Sequence, residues 1–91
     1  MRLSPEELRQ RLAVGWSGTT EGIQKTYRFA DFRAALQFVQ RVGDIAEEIG
    51  HHPDIDIRYN QVRLALVTHD EGGVTERDLT LAQRADAVVR V

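Results

Sequence analysis

His51, His52 and His69 are the residues of this chain best suited to moving protons, and all of its histidines fall between positions 51 and 69. An imidazole with an ordinary pKa of roughly 6.5 can donate or accept a proton at neutral pH, so one residue type can serve both an acid and a base step. Glu47 and Glu48 precede the histidine pair, and Asp70 and Glu71 follow the third histidine. Each histidine stretch therefore carries carboxylates able to orient an imidazole or accept hydrogen bonds from a ligand edge. Brought together, three such imidazoles would form a proton-transfer site.

Plainer readings stand beside this one. Any single histidine can be a surface or capping residue, and charges at helix ends are usually solvated. Asp78 lies three residues after Thr75, where its carboxylate can bond back to the backbone N–H of a capping threonine. That role is compatible with a place in a site. Thr68, beside His69, fills a strand or turns its hydroxyl to a ligand. Histidines and carboxylates can also hold zinc or iron, but there is no His-Glu-x-x-His helix, no His-x-His strand and no cysteine. No glycine-rich phosphate loop is present either; Gly72-Gly73 reads as a turn.

Regular elements must position these groups. Ser4, Pro5 and Glu7 form a capping box that opens a first helix at about 4 to 12, with Leu3 stapling against Leu8. Gly15 and Gly18 bracket a short extended piece around Trp16, and Thr19 to Gly22 turn the chain into a strand carrying Ile23, Tyr27 and Phe29. These aromatics read as core or subunit-contact residues. Asp31 caps the longest helix, whose Phe32, Ala35, Val39, Val42, Ala46 and Ile49 step by three and four. Gly50 can end it in a left-handed conformation and Pro53 blocks its continuation, so His51 and His52 sit in a forced break.

Beyond Pro53, Ile55, Ile57 and Tyr59 alternate with Asp56 and Arg58, and Asn60-Gln61 offers a tight turn. Val62, Leu64 and Leu66 continue the apolar face on the returning strand. Arg63, Ala65, Val67 and His69 share the other face, with His69 as the last strand residue. Because two of those four are apolar, that face is expected to be covered, another subunit being one candidate. Gly72-Gly73 breaks the strand. Thr75 and Asp78 then open a third helix with Leu81, Ala82, Ala85, Val88 and Val89 as its stripe. Two hairpins separated by a long helix predict an α+β domain in the order α-β-β-α-β-β-α: a four-stranded antiparallel sheet with three helices packed on one face.

Composition bounds the function. The 91 residues suit one domain, taken as 1–91, and a domain this small buries a modest share of its surface, which favours self-association. A formal net charge of −2 supplies no positive field for nucleic acid or anionic lipid. No run of apolar residues is long enough for a membrane helix or a signal peptide, and the absence of cysteine fits a reducing compartment, so a cytoplasmic location is expected.

The segment Glu47-Glu-Ile-Gly-His51-His52-Pro53, followed by Tyr59, His69 and Asp78 at set spacings, resembles the signature of the pterin-4a-carbinolamine dehydratases. Gly15-Trp16, the run from Tyr27 to Phe32 and Thr68-His69-Asp70 extend the resemblance over nearly the whole chain. It implies an α+β fold with a four-stranded antiparallel sheet and three helices, commonly assembled as homodimers or homotetramers. The implied activity is that of a lyase: dehydration of 4a-hydroxytetrahydropterin to quinonoid dihydropterin and water, in support of pterin recycling. No metal or redox cofactor is implied.

That elimination needs a proton for the departing 4a hydroxyl and removal of another from the ring nitrogen. By matching positions, the resemblance makes His51 and His69 general acids toward the two faces of the 4a carbon and gives His52 the task of binding and orienting the ring. Glu47, Pro53, Asp70, Glu71 and Asp78 would shape the substrate pocket. One departure is Ile55, where animal members carry tryptophan two residues beyond the proline; an aliphatic side chain removes a stacking surface. Animal members also act as dimerisation partners of a homeodomain transcription factor, so the alternative is a non-catalytic pterin- or protein-binding regulatory module on the same fold.

Overall fold

The computed structural model describes residues 1–89. The elements are α1 (Pro5–Arg11), β1 (Ser17–Thr19), β2 (Gly22–Arg28), α2 (Phe32–Ile49), β3 (Asp54–Arg58), β4 (Gln61–Leu66), a single 3-10 turn (His69–Glu71) and α3 (Glu76–Val89). This is the expected α+β order. The sheet runs β1-β2-β4-β3 with every neighbouring pair antiparallel, so the chain crosses from the first hairpin to the second by way of α2.

Alternation in the central strands decides where the core lies. Ile23 and Tyr27 from β2 and Val62, Leu64 and Leu66 from β4 point to one face and are almost fully buried. They join Leu8 of α1, Ala35, Phe38 and Val42 of α2, and Leu81, Ala82 and Ala85 of α3 in one cluster, so all three helices cover the same side. The capping box of α1 forms as expected, with Ser4 Oγ accepting from the Glu7 N–H and Glu7 accepting from the Ser4 N–H. The other sheet face is polar along most of its length: Arg63 bonds Gln24 across the β2–β4 pair. Among the described residues no helix is long and apolar enough to cross a membrane.

Three details differ from the sequence expectation, each because of a partner distant in the chain or a backbone bridge. On α2 the buried stripe is Ala35, Phe38, Val42 and Ala46, while Phe32 at the helix start is 47% exposed. Phe38 replaces it because the stripe that faces β4 runs through positions 35, 38 and 42, and position 32 lies off that line. The β3–β4 turn is Tyr59-Asn60, not Asn60-Gln61: Arg58 pairs with Gln61, and Tyr59 takes a left-handed φ of 52°. Asn60 is held there by the residue that follows β2, since its side chain donates to the Phe29 carbonyl (2.9 Å) and its own carbonyl accepts from the Phe29 N–H (2.8 Å).

His69 is the third correction. It is not the last residue of β4, which ends at Leu66. Thr68 instead forms a bridge with Gly73, each donating its N–H to the other's carbonyl, and the 3-10 turn between them carries His69. Gly73 must lack a side chain at this bridge, because a Cβ would lie 2.6 Å from the Thr20 carbonyl oxygen.

One buried polar cluster ties the sheet to α3. Asp86 accepts hydrogen bonds from Trp16 Nε1 (3.1 Å), Lys25 Nζ (2.8 Å) and the Tyr27 hydroxyl (2.5 Å). Lys25 sits on the inward side of β2 between Ile23 and Tyr27, with its ammonium 4.7 Å from the Tyr27 ring centre. Burial and then the Asp86 carboxylate push the Tyr27 phenol well above its ordinary range. Burial alone would raise the Asp86 carboxyl, but the three donors outweigh it and hold the group below the usual aspartate value.

Two outcomes follow for Asp86. Replacing it with alanine leaves a partly buried ammonium without its counter-ion and should lower unfolding free energy by roughly 3 kcal/mol, read from urea denaturation at pH 7. A carboxyl depressed on folding stabilises the protein above its unfolded pKa of about 3.9, and that stabilisation is lost as pH falls through the lower folded value. The gap between wild type and Asp86→Ala should therefore narrow below about pH 4; a gap that stays constant from pH 7 to pH 3 would contradict this.

Candidate active site

The break after α2 sets the direction of the histidine pair. Gly50 adopts a left-handed φ of 67°, and both its N–H and that of His51 are directed at the Ala46 carbonyl. This closes the helix and turns the chain so that the His51 ring goes inward, against the start of α3. Pro53 then prevents helical continuation, and β3 begins at Asp54.

The inward ring meets Asp78, the third residue of α3. His51 Nε2 lies 2.5 Å from Asp78 Oδ1, with the His51 side chain 8% and the Asp78 side chain 0% exposed. Asp78 Oδ2 accepts from the Thr68 hydroxyl (2.8 Å) and from the Thr75 N–H (2.9 Å). The capping role expected for Asp78 is thus met, and the same carboxylate holds His51. Three elements converge on it: the end of α2, the segment after β4 and the first turn of α3. No lysine or arginine pairs with Asp78 among the described residues. Hydrogen-bond donors and the positive end of α3 meet the needs of this buried carboxylate.

A carboxylate is an acceptor, so the hydrogen between the two groups belongs to His51 Nε2. Nδ1 has no hydrogen-bond partner among the described residues, and no buried side-chain nitrogen or oxygen there lacks one, so Nδ1 reaches solvent. The arrangement therefore presents one nitrogen of a fixed imidazole to whatever docks outside.

His52 follows on the surface and points back along α2, with its Nε2 2.5 Å from Glu47 Oε2; both side chains are well exposed. Glu48 turns the other way and receives Arg84 of α3 at 2.7 and 3.2 Å, which clamps the end of α2 to α3. That pairing holds the Glu48 carboxyl below its ordinary value. Pro53 is half-buried. His69 is exposed on its 3-10 turn, and because Thr68 bonds the carboxylate that holds His51, His69 is anchored one residue from the same centre.

The remaining expected ligand contacts divide. Asp70 is exposed and 3.9 Å from Arg77, while Glu71 lies 3.0 Å from the Met1 ammonium. Thr68 is 1% exposed, and its hydroxyl is engaged by Asp78 and, at 2.7 Å, by Thr75, so it stands behind the histidines and not toward a ligand. This corrects the expectation of a hydroxyl at a strand end open to substrate: the Thr68–Gly73 bridge draws that strand extension under the loop. Sequence reasoning missed the Thr75 hydroxyl, which it read as a helix cap alone; a second threonine seven positions before, next to a histidine, was the available signal.

A surface hollow of about 780 Å³ lies elsewhere, between Phe29, Phe38, Arg41 and Val88. It is mainly apolar and holds no histidine or carboxylate, so it offers no acid or base group. Among the described residues no three histidine, aspartate or glutamate side chains converge as a metal site would require.

The chain matches the family model for pterin 4 alpha carbinolamine dehydratase over residues 1–88. A relative in Chloroflexus aurantiacus that carries the provisional name pterin-4-alpha-carbinolamine dehydratase is 52% identical over 90 residues, 97% of each chain. A relative in Sulfolobus acidocaldarius with the same provisional name is 41% identical over 97% of this chain and 99% of its own. Among solved structures, a transcriptional coactivator/pterin dehydratase from Brucella melitensis superposes with a TM-score of 0.93 at 35% identity, covering 97% of this chain and 98% of that one. A pterin dehydratase-like RuBisCO assembly factor of the alpha-carboxysome shares the fold at a TM-score of 0.66 and 23% identity, over 79% and 83% of the two chains. With residues 1–88 matched and relatives of this similarity spanning nearly the whole length, the chain belongs to the pterin-4a-carbinolamine dehydratase family, whose activity is that of a hydro-lyase.

Proposed function

We propose that this chain dehydrates 4a-hydroxytetrahydropterin to quinonoid dihydropterin and water by histidine acid and base catalysis. The bond between C4a and its hydroxyl oxygen breaks, a proton joins the departing oxygen to form water, and the ring nitrogen beside C4a loses its proton as the C=N bond forms. Two proton transfers on one small ring call for two groups on opposite sides of it. His51 and His69 take those parts, and His52, braced by Glu47, orients the ring. Glu47, Pro53, Asp70 and Glu71 surround the docking place, where carboxylates accept from the amino-pyrimidine edge.

The observation that carries this reading is the His51–Asp78 pair. A buried carboxylate fixes one imidazole nitrogen and leaves the other open, which is how a histidine is prepared for directed proton transfer rather than for solvation. No such preparation would serve a surface histidine. Ile55, 37% exposed on the edge strand β3, stands close to this place in sequence and offers an aliphatic surface in place of an aromatic one.

Stopped-flow measurement of dehydration of freshly generated 4a-hydroxytetrahydropterin tests the proposal. Wild type should accelerate the reaction equally with and without EDTA, and His51→Ala should lower kcat by about 10²- to 10⁴-fold. His52→Ala should act mainly on KM, because uniform binding is lost when an orienting contact is removed. A folded wild-type protein that gives no acceleration would sink the dehydratase reading.

The working form is expected to be a homodimer or homotetramer. Phe32 (47% exposed) and Leu36 (42% exposed) lie one turn apart on α2 and leave apolar area that self-association would cover. Sedimentation velocity over a range of protein concentrations should give a species larger than the 10.3 kDa chain; a monomer throughout would remove this part.

A further inference from the structure

We propose that Thr68 is a positioning residue that, together with Thr75, decides which nitrogen of His51 faces the substrate. The inference deepens the proposed function and rests on it only for its kinetic consequence. Thr68 and Thr75 are 1% and 5% exposed, and neither hydroxyl is placed to touch a ligand from outside.

The hydrogen bonds around Asp78 run in one direction. The Arg77 N–H donates to Thr75 Oγ1 at 3.2 Å. Thr68 Oγ1 donates its single proton to Asp78 Oδ2 at 2.8 Å, so in the 2.7 Å contact between the two threonines the donor must be Thr75. Each hydroxyl thus passes a donor forward, and such chains polarise toward their acceptor end. That end is Asp78 Oδ2, which also receives the Thr75 N–H at 2.9 Å.

With two donors on Oδ2, the carboxylate cannot rotate without breaking both bonds inside a buried region. Oδ1 is then the oxygen left for His51, and it takes Nε2 at 2.5 Å. His51 is held with its proton on Nε2 and with Nδ1 toward solvent. Removal of the Thr68 hydroxyl leaves Oδ2 with the Thr75 N–H alone, frees the carboxylate to turn, and lets the imidazole populate its other tautomer and ring orientation.

A residue that only supported the fold would change the melting temperature and leave the protonation pattern of His51 as it was. The test is therefore a long-range ¹H–¹⁵N correlation spectrum of the full-length protein, with His51 assigned from His51→Gln. Wild type should show His51 with its hydrogen on Nε2. Thr68→Val, which keeps the volume and removes the hydroxyl, should show mixed tautomers or an Nε2–H resonance lost to exchange. Thr68→Ser should restore the wild-type pattern. Should Thr68→Val fail to fold, Thr68→Ala also lacks the hydroxyl without added bulk and is read the same way.

In the dehydration assay, Thr68→Val should lower kcat between about ten- and a hundredfold with KM within about twofold, as a misaligned catalytic group does. An unchanged His51 spectrum in the hydroxyl-free variant overturns the proposal, and so does a changed spectrum that serine fails to restore. A wild-type protein without dehydratase activity would remove the proposed function while the tautomer readout still judges the part assigned to Thr68.

Discussion

A carboxylate with no lysine or arginine beside it among the described residues sits fully buried at Asp78, and much of the local architecture is the answer to that constraint. Burying an ionised group without partners is costly, so its oxygens must meet donors. Those donors arrive from three separate stretches: His51 after α2, Thr68 after β4, and the Thr75 backbone at the start of α3. None can be supplied unless α2 stops at Gly50, β4 gives way to the Thr68–Gly73 bridge, and α3 begins at Glu76. The three terminations look like unrelated loop features in the chain, yet one side chain requires all of them at once.

α3 carries a second buried carboxylate eight residues on, and the contrast between the two is informative. Asp86 lies about 12 Å further along the helix and is paired with the Lys25 ammonium as well as with two neutral donors. Its opposite charge is satisfied inside the protein, and all of its partners are internal, so it locks β2 and the segment before β1 to the helix. Asp78 has donors but no lysine or arginine partner among the described residues, and one of its donors is a residue whose other side reaches solvent. The first arrangement spends its charge on holding the sheet; the second transmits orientation outward through an imidazole.

How much of this was readable in the chain depended on whether a residue's role was local. The element order, the Ser4 box, the Gly50 stop and the Thr75–Asp78 cap all follow from contacts within a few residues, and each was legible. Phe38 and Phe32 exchanged places because burial on α2 depends on where β4 crosses it, which the helix period alone does not fix. His69 left the strand because Gly73 pairs with Thr68, a backbone bridge that also needs room beside Thr20. The Asp86 cluster was missed although a clue existed: Lys25 falls on the inward side of β2 and Asp86 on the buried side of α3, two opposite charges at core positions. The signature from Glu47 to Asp78 named the histidines but could not show that Asp78 holds His51 and Thr68 together.

The position of the site also follows from the size of the domain. A core this small is filled by the inner sheet face and three helical stripes. The proposed chemistry sits instead at the ends of α2 and β4 and the start of α3, where backbone direction changes within one or two residues and side chains can be aimed both inward and outward. His51 does both, with Nε2 on Asp78 and Nδ1 toward solvent. His52 and His69 are exposed on either flank of it in sequence, and their own orientation depends on what they meet: His52 has only Glu47, and His69 has no side-chain partner among the described residues. The rigid member of the trio is therefore the one wired to the core, and the adaptable members are those a docking substrate can draw into place.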